Sequence, residues 1–71
     1  MDKAELNKLK LFLQKTFGNA ELTVKARPQK TDSCEVYKGD EFIGVIYVDD
    51  EDEDRSFMFQ MAILDIDLED I

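Results

Sequence analysis

The dipeptide Gly39-Asp40 interrupts two runs rich in β-branched and aromatic residues, Ser33 to Lys38 and Glu41 to Val48. Two such runs joined by two residues of turn type form a β-hairpin, because glycine at the first central position supplies the positive φ that a tight turn needs. In the simplest register Lys38 faces Glu41, Val36 faces Ile43 and Cys34 faces Val45. Alternation along each strand then sends Val36, Ile43, Val45 and Tyr47 to one side, and Tyr37, Phe42, Ile46 and Val48 to the other. A hairpin that is apolar on both faces must be covered twice, which sets the question for the rest of the chain.

Ahead of the hairpin lies one helix and one strand. Asp2 followed by Glu5 suits an N-cap with a returning carboxylate, and Leu6, Leu9, Leu13 and Phe17 fall within a narrow arc at 100° per residue, with Phe12 on its shoulder. Gly18-Asn19 supplies the left-handed stop. Leu22, Val24 and Ala26 then alternate with Thr23, Lys25 and Arg27, a half-buried strand that ends near Arg27 because Pro28 has no backbone donor.

Behind the hairpin, from Ser56 onward, the apolar positions are 57, 59, 61 and 63 and then 64, 66 and 68, so the alternation slips phase near Ile63 and Leu64. A bulge in one long strand explains the slip. The competing reading ends the strand at Met61 and makes the tail a short helix, but Ile66 and Leu68 separated by single aspartates favour the strand. The expected architecture is therefore α+β over a single domain, residues 1–71: an N-terminal helix followed by a four-stranded antiparallel meander sheet, with the helix packed on one face.

A chain of 71 residues buries only about 60% of the surface its unfolded form exposes, so a further staple is expected. Cys34 is the only cysteine and there is no histidine, which excludes an internal disulfide, a Cys/His zinc site and a Ser-His or Cys-His nucleophile. Self-association is the staple that remains. The start Met1-Asp2-Lys3-Ala4-Glu5 lacks the apolar run of a signal peptide, and Phe42 to Val48 is too short to cross a bilayer. A cytoplasmic location away from membranes is the expectation.

The segments Lys15-Thr-Phe-Gly-Asn19, Ala26-Arg-Pro28, Glu35-Val-Tyr-Lys-Gly-Asp-Glu-Phe-Ile-Gly-Val45 and Phe59-Gln-Met-Ala-Ile-Leu-Asp-Ile-Asp-Leu68 together resemble a small bacterial family described only as a domain of unknown function and found mainly in α-proteobacteria. The resemblance spans nearly the whole chain. It implies a stand-alone cytosolic protein and carries over no catalytic or binding residues.

Charge is divided unevenly. Residues 1 to 30 hold seven Lys/Arg and three Asp/Glu, giving +4, while residues 31 to 71 hold two and fourteen, giving -12, which together return the net -8. The basic half (Lys3, Lys8, Lys10, Lys15, Lys25, Arg27, Lys30) invites a nucleic-acid reading, but at -8 the long-range field repels phosphate, and pairing with the acidic half is the plainer account. The run Asp49-Asp-Glu-Asp-Glu-Asp54 begins with calcium-loop spacing at Asp50, Asp52 and Asp54, yet Arg55 stands where glycine is needed and Met61 where a bidentate glutamate is needed. A solvated loop between strands is the simpler reading. Asp65 and Asp67 would share one strand face roughly 7 Å apart, a spacing usable in two-carboxylate hydrolysis, but a sheet with one helix leaves little room for a cleft, and edge-strand charges that block further pairing account for them. Cys34, beside Glu35, reads as a packed core residue rather than a reactive thiol.

These readings converge on a small interaction module with no catalytic residues, no metal ligands and no cofactor, whose partner is an unknown protein or a second copy. The expected contact residues are Tyr37, Phe42, Ile46 and Val48 on the uncovered sheet face, with Leu11 on the outer side of the helix. The alternative is an acidic-loop module that binds a cation or a basic macromolecule through Asp49 to Asp54.

Overall fold

The computed structural model describes residues 1–51, 54–69 and 71. Its first element, α1 (Lys3–Phe17), starts where Asp2 Oδ1 accepts the Glu5 backbone N–H at 2.8 Å and stops at Gly18, whose φ of 62° is the left-handed cap. The Glu5 carboxylate does not return to the cap as expected. It forms an ion pair with Arg55, and so ties the helix start to the far edge of the sheet.

Four strands follow in simple antiparallel order: β1 (Leu22–Arg27), β2 (Lys30–Lys38), β3 (Glu41–Asp49) and β4 (Ser56–Gln60). The α+β meander expected from the pattern is thus the observed architecture. β2 begins three residues earlier than its composition indicates, because Pro28-Gln29 makes a second tight turn that pairs Arg27 with Lys30. Proline is well suited to the first central position of such a turn. At the other turn Gly39 has φ 61° and Lys38 pairs with Glu41, as expected.

Beyond that turn the register departs from the simple one. Tyr37 pairs with Phe42, but Val36 pairs with Gly44 and Cys34 with Ile46, so Ile43 is an extra, bulged residue on β3. A slip of one residue exchanges the two faces of a strand. Ile46 and Val48, expected on the exposed face, therefore point toward α1, while Val45 and Tyr47 point away. Ile46 is 2% exposed and belongs to the core.

That core consists of Leu13, Leu22, Cys34, Val36 and Ile46, with Leu6, Leu9, Val24, Ile43 and Phe59 packed against it. Gly44 sits within it for a steric reason, since a Cβ there would lie 2.6 Å from the Phe59 ring and still closer to the Gln60 carbonyl oxygen. Gln14 fastens the helix to β1 by donating to the Leu22 and Ala20 carbonyls at 2.9 and 3.3 Å.

The tail is not a continuation of β4. Pairing ends at Val45 with Gln60, and α2 (Asp65–Glu69) follows, which corrects the expected long strand. The β3–β4 ladder ends two residues short of the bulge at Ile43, and Asp67 caps the new helix by accepting the Leu64 N–H at 2.9 Å. Asp65 and Asp67 thus occupy the first turn of a helix, where acidic groups are favoured, and are not edge-strand charges. No helix among the described residues is long and apolar enough to cross a membrane.

Candidate interaction surfaces

On the sheet face away from α1, the observed register lays side chains out in rows. Thr23, Tyr37 and Phe42 form one row, Lys25, Glu35, Val45 and Gln60 the next, and Ser33, Tyr47 and Met58 the third. The β1–β2 half of this face is polar and internally satisfied. Lys25 Nζ lies 4.6 Å from the Tyr37 ring centroid, Tyr37 Oη donates to Glu35 Oε1 at 3.0 Å, and Arg27 donates to the buried Ser33 hydroxyl at 3.3 Å. The hydrogen bond to Glu35 raises the Tyr37 pKa above its ordinary value of 10.0, because ionising the phenol would remove the donor and set two negative charges side by side.

The β3–β4 half is apolar. Phe42 meets Tyr37 edge to face, with centroids 5.7 Å apart, and Val45, Tyr47 and Met58 extend the patch. Phe42 and Met58 are each more than half exposed. Ala62, Leu64 and Asp67 border a hollow beside Phe42 and Tyr47 but do not cover it, and every residue from Met61 to Glu69 is itself exposed.

Of the five expected contact residues, Tyr37 and Phe42 come together on this face. Leu11 is exposed on the outer side of α1 and remote from them. Ile46 and Val48 lie on the opposite face, Ile46 within the core, for the register reason given above. Simple alternation misses Val45, Tyr47 and Met58; the isolated glycine at position 44, a frequent mark of a bulge, is the available signal for the first two.

A second apolar region lies on the helix side. Neighbouring strands sit about 4.8 Å apart, so four of them present roughly 19 Å of surface to a helix about 10 Å wide. α1 packs against β1. Two separate pockets lie on this side, an apolar one whose lining includes Leu13, Phe17, Phe59 and Met61, and a mixed one lined by Leu9, Phe12 and Phe57 together with Asp2, Glu5, Lys8 and Arg55.

The other candidates resolve more simply. Cys34 is fully buried, and burial is the main reason its pKa rises above the ordinary 9.0. In the acidic loop, Asp49 Oδ1 accepts the Glu51 N–H at 3.2 Å, an Asx turn. Asp52 and Glu53 lie outside the described residues, and with them the Asp50, Asp52, Asp54 spacing. Among the described residues no cluster of acidic, cysteine or histidine side chains could hold a metal ion.

A helix over an antiparallel four-stranded sheet, with large apolar side chains exposed on it, defines a small α+β domain. The chain belongs to the family described as Protein of unknown function (DUF3126), whose family model matches residues 5–67. No curated protein and no solved structure matches the chain.

Proposed function

We propose that this protein is a non-catalytic protein–protein interaction module whose contact surface is the apolar half of the outer sheet face, centred on Phe42 and flanked by Tyr37, Val45, Tyr47 and Met58. One observation carries the reading. Thirteen large apolar side chains are exposed among the described residues, whereas five apolar residues form the buried core, and the outer sheet face gathers several of the exposed ones into one patch. Contiguous patches of this kind on small proteins mark contact sites, and aromatic residues and methionine are enriched at the centres of such contacts.

The test is Phe42→Lys. Phe42 lies 52% exposed at the end of the hairpin, so the charge is tolerated by the fold. The variant is expected to keep the wild-type circular dichroism spectrum while losing proteins that the wild type captures from native lysate. Identical capture by the two forms would rule out this face as the contact.

A further inference from the structure

Resting on the assignment of the outer sheet face as a contact surface, we propose that its partner is an extended segment of a different protein, with apolar side chains between lysine or arginine residues. A second copy of this chain is the wrong partner for it.

The seat is the open hollow beside Phe42 and Tyr47. Val45, Met61 and Leu64 complete its apolar lining, and Glu41 and Asp67 also border it. Among the described residues no lysine or arginine does. The two carboxylates are not neutralised within the chain: the ion pair among the described residues is Arg55 with Glu5, and Lys38, opposite Glu41 across the turn, does not come within ion-pair distance of it. Asp67 accepts the Leu64 N–H, a bond that leaves its charge in place. An apolar group entering the hollow strips water from both carboxylates, and a charge that loses water without gaining a counter-charge is costly. The occupant must therefore bring cations of its own.

The same sign recurs at the far end of the patch. Beyond the row of Tyr47 and Met58 lie Asp49, Asp50 and Glu51, with Asp32 beside them. Arg55 borders that region too, but it is already paired with Glu5. On the β1 side Lys25 lies over the Tyr37 ring and opposite Glu35, so its charge is balanced locally. β3 is nine residues long, with Glu41 at one end and Asp49 at the other, which sets the acidic ends roughly 26 Å apart at 3.3 Å per step. An extended segment of about nine residues spans that distance. Cations at its ends then meet the carboxylates, while alternate apolar side chains reach Phe42, Val45 and Tyr47.

Charge also decides against a second copy. Two sheets packed face to face on this patch about a two-fold axis along the strands set each acidic end over its own counterpart, and about an axis across the strands set each acidic end over the other. Either way carboxylates meet carboxylates, which disfavours the pair. The net charge of -8 repels another copy at long range and draws in a cationic segment, most strongly at low ionic strength.

The experiment titrates the full, isotopically labelled chain at low salt with the acetylated and amidated peptide Lys-Lys-Leu-Thr-Phe-Thr-Leu-Lys-Lys. Two further peptides replace its lysines by glutamine, or its leucines and phenylalanine by serine. Backbone amide shifts locate the contact. The double variant Glu41→Gln, Asp67→Asn removes both charges, while an amide oxygen at position 67 can still accept the Leu64 N–H. Expected are saturable shifts at Phe42, Val45, Tyr47 and Leu64 with the basic apolar peptide alone, and a wild type that stays at 8.2 kDa by light scattering. The dissociation constant should rise on the order of 5-fold in the double variant, where two exposed ion pairs are lost, and on the order of 10-fold or more in Phe42→Ala. Equally tight binding of the glutamine peptide, or an unchanged constant in the double variant, overturns the proposal while leaving the outer-face reading standing. So does a wild-type dimer that Phe42→Lys dissociates, because a second copy then takes the face. Shifts confined to Asp49 to Glu51, or equal binding of the serine peptide, mark a purely electrostatic contact and overturn it as well. Absence of shifts with every peptide also overturns it, and the outer-face reading falls with it only if Phe42→Lys captures the same proteins from lysate as the wild type.

Discussion

The β1–β2 half of the sheet and the β3–β4 half are built from similar residues but are finished differently. Over β1 and β2 the helix supplies Leu13 against Leu22 and Val36, and on the reverse side Lys25, Glu35 and Tyr37 satisfy one another. Over β3 and β4 closure is partial: Ile46 and Phe59 reach the core, but Phe57 borders an open pocket, and Phe42, Tyr47 and Met58 are exposed on the outer side. The difference shows that a single helix is too narrow for a four-stranded sheet, so one half of the domain is closed on both sides and the other keeps large apolar side chains exposed. The buried side chains that join the halves are few, and Ile46 is the principal one.

Ile46 gives the sharpest test of that division. Replacing it with alanine leaves a cavity under the helix and is expected to cost about 2–5 kcal/mol, a large part of the stability of a domain this small. Met58→Ala, on the same half of the sheet but on its outer face, should stay within about 0.5 kcal/mol. Urea denaturation followed by circular dichroism reads both values. Equal shifts would mean that the two faces of β3 and β4 are not energetically distinct.

Gly44 tests how the open half is held to the closed one. A methyl group there meets the Gln60 carbonyl, which is backbone and cannot swing aside, as well as the Phe59 ring. Gly44→Ala is expected to cost about 1–3 kcal/mol through overpacking. The damage should begin at the β3–β4 ladder, so amide hydrogen exchange at Phe57 to Gln60 should accelerate more than at Val24 or Val36. Uniform acceleration across the sheet would place the strain elsewhere.

Much of this arrangement is written locally. The cap at Asp2, the stop at Gly18, the alternation of β1 and the Gly39-Asp40 turn each depend on a few neighbouring residues, and each forms as the pattern indicates. The bulge is different. Ile43-Gly44 contains no polar residue to mark a change of phase, so alternation alone runs straight through it and sends Ile46 and Val48 to the wrong face. In the tail, single aspartates between Ile66 and Leu68 imitate a strand, and the outcome is decided by whether β3 still offers backbone partners, which is a tertiary matter. The pockets beside β4 likewise depend on where α1 settles across the sheet. Helix periodicity shows which side of α1 is apolar but not which strands it will cover. The outer face is half legible for the same reason: Tyr37 and Phe42 precede the bulge, whereas Val45 and Tyr47 follow it.

Two raised pKa values, one in each environment, separate burial from surface hydrogen bonding. The Cys34 thiol is raised chiefly by burial, with Glu5 adding to the effect and the N-terminal ammonium and the Ile46 backbone opposing it. Tyr37 is raised chiefly by its hydrogen bond to Glu35 at an exposed site. For an acid whose folded pKa lies above its unfolded one, the folded state holds the proton more tightly, so its contribution is complete below the unfolded value and is lost as pH rises from there through the folded one. Cys34 should therefore cost the domain stability as pH climbs above about 9, because ionisation would place a thiolate among Leu13, Val36 and Ile46. Comparing thermal melts at neutral pH and above pH 9, Cys34→Ala should flatten the alkaline decline relative to wild type, whatever its fixed cavity cost. Tyr37→Phe should change the slope much less, since solvent screens the exposed pair. If the two variants flatten it equally, burial is not what distinguishes the closed core from the outer face.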